Sequence, residues 1–348
     1  MKACIFSFTR NGALISLRLQ EYLRKQGIEA GVYATKRYVD TDSRLSPIAP
    51  SLAAMAEETF RTCRLIIYIG ATGIAIRSIA PYVKTKTEDP AVLSIDEQGK
   101  FVIPLLSGHI GGANKLAAGI AEFLHAVPVI TTATDVNDLF AVDEWAARHN
   151  MAISNMLGAK TFASYLVDGK TVGVKSDFPI DGPLPKGMVL SDEGSVGVAI
   201  SLHKGVQPFV ETVVLRPRIL HLGIGCRRGT SMDAIEELVL RELKKLRLTL
   251  SVVTGIASID VKKDEAGLLK FAREYAIPIR FYSAEELNAV PGEFTPSKFV
   301  NSTVGVDNVC ERAAVKDSGN GRILLRKTSL NGVTVAIAAE DLRLDFNR

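Results

Sequence analysis

Leu65-Ile66-Ile67-Tyr68-Ile69 runs straight into Gly70-Ala71-Thr72-Gly73, and this junction decides the fold. Five apolar residues without polar alternation fit a central strand covered by helices on both faces, as in parallel sheets. The two glycines after it give a tight exit from strand to helix. Toward the N-terminus, residues 3–8 and 30–34 read as strands, with helical patterns over 13–25 and 53–62. Toward the C-terminus, residues 92–95 and 101–106 read as two strands joined at Glu97-Gln98-Gly99, and 127–131 as the strand that closes the unit. Alternation at this spacing predicts parallel strands joined by helical crossovers.

From about residue 140 to 216 the pattern loosens. Pro179, Gly182, Pro183, Pro185 and Gly187 make residues 178–187 a loop, with strands expected over 171–175 and 195–201. Alternation resumes with a strand over 219–223, a helix over 231–246 opened by a Thr230/Asp233 capping box, a strand over 256–260 and a helix over 265–275. The expected fold class is α/β: two doubly wound three-layer units with predominantly parallel sheets, joined by a small α+β middle section. The expected domains are 1–138, 139–217 and 218–348.

Composition narrows the function. The chain has 348 residues, 47% of them hydrophobic and 23% charged, as a packed globular protein of more than one domain uses. Its 42 Lys and Arg against 38 Asp and Glu leave +4 spread along the chain, with no basic block to hold nucleic acid. Cys4, Cys63, Cys226 and Cys310 form no Cys-x-x-Cys pair and have no His at ligand spacing, which predicts reduced thiols, a cytoplasmic location and no metal site. The apolar run 3–8 is cut short by Arg10 and Asn11, so no export signal is expected. The apolar run 65–76 is too short for a membrane span.

Four glycine-bearing turns are the candidates for chemistry. Gly70, Thr72, Gly73 and Arg77 follow a strand, where ligands bind beyond strand ends in open α/β sheets; a tight turn with no ligand explains the glycines equally well. Ser107-Gly108-His109, followed by Gly111, Gly112 and Lys115, is the second. A plain connector needs no histidine, and His109 suits a general acid, a general base, an oxyanion donor or a helix cap. The third turn, Gly223 to Thr230, carries Gly225, Arg227 and Arg228 and is a near match to a dinucleotide fingerprint, with Asp260 as a ribose acceptor. Paired arginines beside a helix start also suit carboxylates. The fourth, residues 295–312, mixes hydroxyls, amides and charges and holds Thr303 and Glu311; the alternative there is a helix capped by Asp307, with Glu311 on its outer face. The Gly-x-x-x-x-Gly-Lys pattern of a phosphate-cradling loop is absent.

Taken together, residues 70–77, 103–114, 223–230 and 302–314 resemble the cobalt-precorrin-5A hydrolases of anaerobic vitamin B12 biosynthesis, in family order. The resemblance implies opening of the ring A acetate δ-lactone of a cobalt-corrinoid and loss of the two-carbon fragment as acetaldehyde. It also implies that cobalt arrives inside the substrate, so no cofactor is expected. The partner it implies is a small-molecule tetrapyrrole, without nucleic acid or membrane; other enzymes of the pathway and further copies of the chain are candidates. No pattern in the family fixes the catalytic groups. His109 is the first candidate for proton transfer, with the Gly111 and Gly112 N–H groups as oxyanion donors, and Glu311 is the second. The other expected substrate contacts are Gly70, Thr72, Gly73, Arg77, Ser107, Gly108, Lys115, Gly225, Arg227, Arg228 and Thr303. The competing reading from another class is a corrinoid carrier without catalysis, and a nucleotide-dependent reductase built on residues 223–229 is a third.

Overall fold

The structure is a computed structural model that describes residues 1–85, 88–109, 111–296 and 305–347. It divides into two compact units, Met1–Glu144 and Trp145–Arg348.

In the first unit the strands are β1 (Lys2–Ser7), β2 (Glu29–Ala34), β3 (Ser46–Pro47), β4 (Leu65–Ile69), β5 (Ala91–Ile95), β6 (Phe101–Leu106) and β7 (Val127–Pro128). They are separated by α1 (Arg10–Lys25), α2 (Leu52–Thr62), α3 (Thr72–Ile79) and α4 (Ala113–Leu124), and followed by α5 (Ala133–Val136); α6 (Val142–Arg148) contains the residues at which the chain passes from one unit to the next. Thr9 opens α1 by accepting from the Gly12 N–H at 3.0 Å, and Ser51 opens α2 by accepting from the Ala54 N–H at 3.2 Å. The sheet order is β3-β2-β1-β4-β5-β6-β7. All five residues of β4 are buried. Strand β1 shows why the unit has three layers. Ala3 and Ile5 join Ile15, Leu19 and Leu23 of α1 and Ile120 of α4, while Cys4 and Phe6 join Ala75 and Ile79 of α3. Burying each such large aliphatic side chain contributes about 1.5–3 kcal/mol.

Every pairing in this sheet is parallel except β5 with β6. The exception governs where the candidate turns fall. Ile69 of β4 lies beside Ile95 of β5 at the carboxyl edge, whereas Leu106 of β6 lies beside Val92 near the amino edge. The turn after β6 therefore opens on the opposite edge from the turn after β4.

The second unit holds two large sheets. Its first part contributes β8 (Met151–Ile153), α7 (Met156–Val167), β9 (Val172–Ser176), β10 (Ile180–Asp181), β11 (Met188–Leu190), β12 (Gly194–Ile200) and β13 (Phe209–Pro217). Here β11, β9, β12 and β13 run parallel and only β8 is antiparallel, so the middle section is more regular than an α+β insert. Inside the expected loop 178–187, β10 pairs with β19 (Leu344–Asp345).

The remaining elements are β14 (Leu220–Cys226), α8 (Met232–Lys245), β15 (Val253–Ile259), α9 (Ala266–Glu274), β16 (Ile279–Tyr282), α10 (Ala284–Asn288), α11 (Val309–Asp317), β17 (Arg322–Leu330) and β18 (Val333–Ala339). The order is β16-β15-β14-β18-β17. The first three strands are parallel, whereas β18 runs antiparallel to both β14 and β17, so this sheet is mixed. Leu238, Leu243, Leu268 and Phe271 of α8 and α9 pack with Leu222 and Ile224, while Ala313 and Ala314 of α11 meet Ala257 and Ala338.

Three local expectations change. Strand β14 runs on through Gly223 and Gly225 to Cys226, where the sequence suggested a turn. The reason is close approach: a Cβ at 223 would fall 1.8 Å from the Cys310 carbonyl oxygen of α11. Helix α8 is capped by Ser231, not Thr230, and α11 by Asn308, not Asp307. Asp307 instead pairs with Arg312, Oδ1 lying 2.7 Å from Nε.

A buried polar knot closes this sheet at its amino edge. Asp317, its side chain fully buried, accepts from His221 Nδ1, from Arg280 Nε and Nη2, and from the Tyr282 hydroxyl at 2.7 Å. His221 Nε2 lies 2.8 Å from Glu340 Oε1. No helix among the described residues is long and apolar enough to cross a membrane.

Candidate functional site

The turn after β6 is built by backbone bonds that leave little freedom. Ser107 takes a left-handed φ of 57° and its hydroxyl donates to the Asp89 carbonyl at 2.9 Å. The N–H groups of Gly112, Ala113 and Asn114 donate to the carbonyls of His109, Ser107 and Gly108 at 2.9, 3.1 and 3.0 Å. Gly112, with φ of 75°, is the residue from which α4 starts. Its N–H is committed inside the turn, which corrects its expected role as an oxyanion donor and leaves Gly111 as the candidate of the two. Gly111 is demanded by space rather than by φ, since a Cβ there would lie 2.4 Å from Ser107 Cβ and 2.8 Å from the Ser107 carbonyl oxygen.

His109 leaves this turn into a set of carboxylates. Its Nε2 lies 2.9 Å from Asp135 Oδ2 and 3.1 Å from the Thr134 hydroxyl, and Nδ1 lies 3.6 Å from Asp143 Oδ1. Asn114 Nδ2 donates to the same Asp135 oxygen and to the Thr132 hydroxyl, both at 3.0 Å. Asp143 raises the His109 pKa most, partial burial opposes it, and Asp135 adds to the rise, which carries it to about 9. His109 is therefore an imidazolium at neutral pH, poised as an acid or cationic donor rather than as a base. The Asp143 contact, at 3.6 Å, is the longer of the two, so Nδ1–H is the more loosely held proton. His109, Asp135 and Glu144 also bring ligand atoms within 4.8 Å of one another. A doubly protonated imidazole has no lone pair to offer a metal, so a metal would have to displace the proton first.

The other expected residues fall elsewhere. Gly70, Thr72 and Gly73 lie at the carboxyl edge of the first sheet, a strand's length of five residues at about 3.3 Å each from the His109 turn. Thr72 meets the Ser94 hydroxyl at 3.1 Å, and Arg77 folds back to the Gly73 carbonyl at 3.2 Å. The structure therefore does not bring the first two glycine turns together, because antiparallel β6 turns the second one around. Lys115 is exposed on the first turn of α4.

In the second unit, Gly225 sits in β14, where its carbonyl accepts from the Thr334 hydroxyl at 3.2 Å. Arg227 and Arg228 are exposed just beyond the strand, and Arg228 makes a loose ion pair of 3.4 Å with Asp264. Asp260 begins a single helical turn, Asp260–Lys262, beyond β15. Thr303 lies outside the described residues. Glu311 is fully buried instead of solvated on an outer face. Its carboxylate accepts from the Lys327 N–H at 2.7 Å and from the Thr295 N–H and hydroxyl at 3.0 and 2.8 Å, with Arg326 at 3.4 Å. Burial pushes its pKa up, but the Lys327 and Thr295 donors and Arg326 more than offset this and hold it below the usual range. A carboxylate so fully occupied braces α11 against β17 and has little capacity left to move protons.

Sequence reading missed Asp135, Asp143, Thr134 and Asn114. Asp135 is 26 residues beyond His109, and no local spacing links them. The available signal was the acidic start of each following helix, Asp135 in α5 and Asp143 in α6.

Gly111→Val is expected to lower turnover at least tenfold while far-UV circular dichroism stays unchanged, because the added branch displaces Ser107 and with it His109. Unaltered turnover in the folded variant would remove this turn from the site.

Comparison with known proteins bears on both units. Residues 54–135 match the family described as Cobalamin synthesis G N-terminal, 140–217 the Cobalamin biosynthesis central region, and 220–338 the Cobalamin synthesis G C-terminus. A cobalt-precorrin-5A hydrolase of Salmonella typhimurium is 37% identical over 303 residues, covering 84% of this chain and 86% of that protein. One from Priestia megaterium is 30% identical over 355 residues, covering 96% and 94%. A solved cobalamin biosynthesis protein G homologue from Sulfolobus solfataricus covers 97% of both chains at 24% identity, with a TM-score of 0.43. With matched segments in both units and relatives aligned along most of its length, the chain belongs to the cobalamin synthesis G family, that of the cobalt-precorrin-5A hydrolases.

Proposed function

We propose that the chain is a cobalt-precorrin-5A hydrolase: it opens the ring A acetate δ-lactone of a cobalt-corrinoid and releases the two-carbon fragment as acetaldehyde, giving cobalt-precorrin-5B in anaerobic vitamin B12 biosynthesis. The observation that carries this is the pair of relatives bearing that name, aligned along most of both chains. The substrate is a small corrinoid that brings its own cobalt, so the protein supplies binding, orientation and protons and holds no cofactor of its own. The enzyme works in the cytoplasm, and the three sequence segments 1–138, 139–217 and 218–348 are its functional divisions.

The His109 turn is the place assigned to the reacting lactone. Water adds to the lactone carbonyl, and the oxyanion that forms is met by His109 Nδ1–H and the Gly111 N–H. As the tetrahedral intermediate collapses, the ring C–O bond breaks and the leaving oxygen takes a proton. The hydroxyl so formed gives up its proton as the carbon–carbon bond breaks, which makes the carbonyl of acetaldehyde, while the electron pair of that bond enters the conjugated corrinoid. Asp135 and Asp143 keep the imidazole charged between turnovers.

The acetate and propionate arms of the substrate call for cations. In the second unit, taken by itself, the exposed Arg227 and Arg228 are the residues proposed to bind carboxylates of this kind. Arg227→Ala and Arg228→Ala should each weaken binding by about 1–3 kcal/mol and flatten its salt dependence. An unchanged KM in both would make them ordinary surface charges.

The deciding experiment incubates the purified chain with cobalt-precorrin-5A and assays acetaldehyde. Stoichiometric release confirms the hydrolase, and tight corrinoid binding without release would favour a carrier.

A further inference from the structure

Two thiols outside the candidate site lie in contact. Cys4 sits in the middle of β1, facing the layer that holds α3, and Cys63 is the residue that ends α2. Their sulfurs are 3.1 Å apart, although the residues are 59 apart in sequence. An S–S bond is about 2.05 Å long, so the sulfurs need approach by only about 1 Å, within reach of side-chain rotation. The other two cysteines, Cys226 and Cys310, are both in the second unit.

The geometry points to Cys4 and Cys63 as an oxidative modification site, a dithiol that closes to a disulfide when the protein meets a small hydroperoxide. Cys63 is the sulfur that reacts first. The two sulfurs are in hydrogen-bond contact, which with help from Thr62 outweighs burial and lowers the Cys63 pKa, whereas that of Cys4 is raised. Cys63 is buried, but Thr62 and Arg64 on either side of it are exposed, so the end of α2 is the side from which a small peroxide would approach. The Cys63 thiolate attacks one peroxide oxygen, the O–O bond breaks, and with one proton the products are water and a sulfenic acid at Cys63. The Cys4 sulfur then attacks the Cys63 sulfur, its own proton leaves with the hydroxyl as a second water, and the disulfide forms. The two electrons lost by the thiols reduce the peroxide. Dithiol reductants reverse the step by exchange.

Closing so long a loop constrains the unfolded chain strongly, so oxidation should stabilise the first unit. The test uses the full chain treated with a small excess of hydrogen peroxide and digested without reduction. The expected results are loss of two of the four thiols, a mass lower by two hydrogens, a single linked Cys4/Cys63 peptide pair, and a Tm higher by roughly 5 °C or more. Dithiothreitol should reverse all four. In Cys4→Ser, Cys63 should trap a sulfenic-acid reagent and form no internal link; should that variant fail to fold, the parent's peptide map decides alone. Retention of both thiols, or linkage to Cys226, to Cys310 or between chains, would overturn the assignment.

Discussion

His109→Ala should cut acetaldehyde release by about 100-fold to 10,000-fold while corrinoid binding is largely kept. The size of the effect follows from the group's charge. Held between Asp135 and Asp143 with a pKa of about 9, the imidazolium would, in the proposed reaction, meet developing negative charge with a donor already in place. His109→Asn should recover part of the rate if donation is the whole role and none if a proton is transferred. The parent's rate should hold through pH 7 and fall as pH rises through about 9, because deprotonation removes the cation. Stability follows the same direction. A folded pKa raised above the unfolded value near 6.5 contributes stabilisation that is complete below about pH 6.5 and lost as pH climbs through about 9. A rate that instead rises between pH 6 and 7, or a loss of Tm that accounts for the whole loss of activity, would make His109 a base or a structural tie.

Asp317→Ala should destabilise the second unit by about 3–5 kcal/mol, the usual cost of removing one member of a buried charged network. His221, Arg280 and Tyr282 would all lose their shared acceptor. Burial raises the Asp317 pKa, but these three donors overcome it and hold it at about 2. Because the folded value is depressed, the contribution is present above about pH 4 and disappears as pH falls toward 2. Urea unfolding of parent and variant at pH 7 and pH 3 would show it: the gap should be wide at the first and narrower at the second. Equal midpoints at pH 7 would mean that the knot is solvated and contributes nothing.

The strand at Leu65–Ile69 was legible because a run of apolar residues can be satisfied only by cover on both faces. The hairpin at Glu97-Gln98-Gly99 was legible too, yet its consequence was not. A hairpin reverses the chain, and the reversal carries His109 to the amino edge, away from Gly70 and Gly73. Reading each glycine turn separately hides this, since edge membership depends on how many reversals come before it. Gly223 was misplaced for a different reason. Glycine signals a turn in isolation, but here it answers to α11, more than eighty residues later in the chain, and local pattern carries no trace of that pressure. The acids around His109 were invisible on the same ground, being placed by folding and not by spacing.

The close crossing of α11 over β14 also bears on how this chain can drift over generations. At position 223 even a methyl group would occupy space already held by a backbone oxygen, which has no rotamer by which to move aside. At position 225 the obstacle is only the Thr334 hydroxyl, 2.7 Å from where a Cβ would stand, and a side chain can turn away. Two glycines separated by a single residue on the same strand thus have different histories open to them. The first can take no side chain while α11 crosses there, whereas the second can be exchanged for a small residue if its neighbour at 334 changes with it.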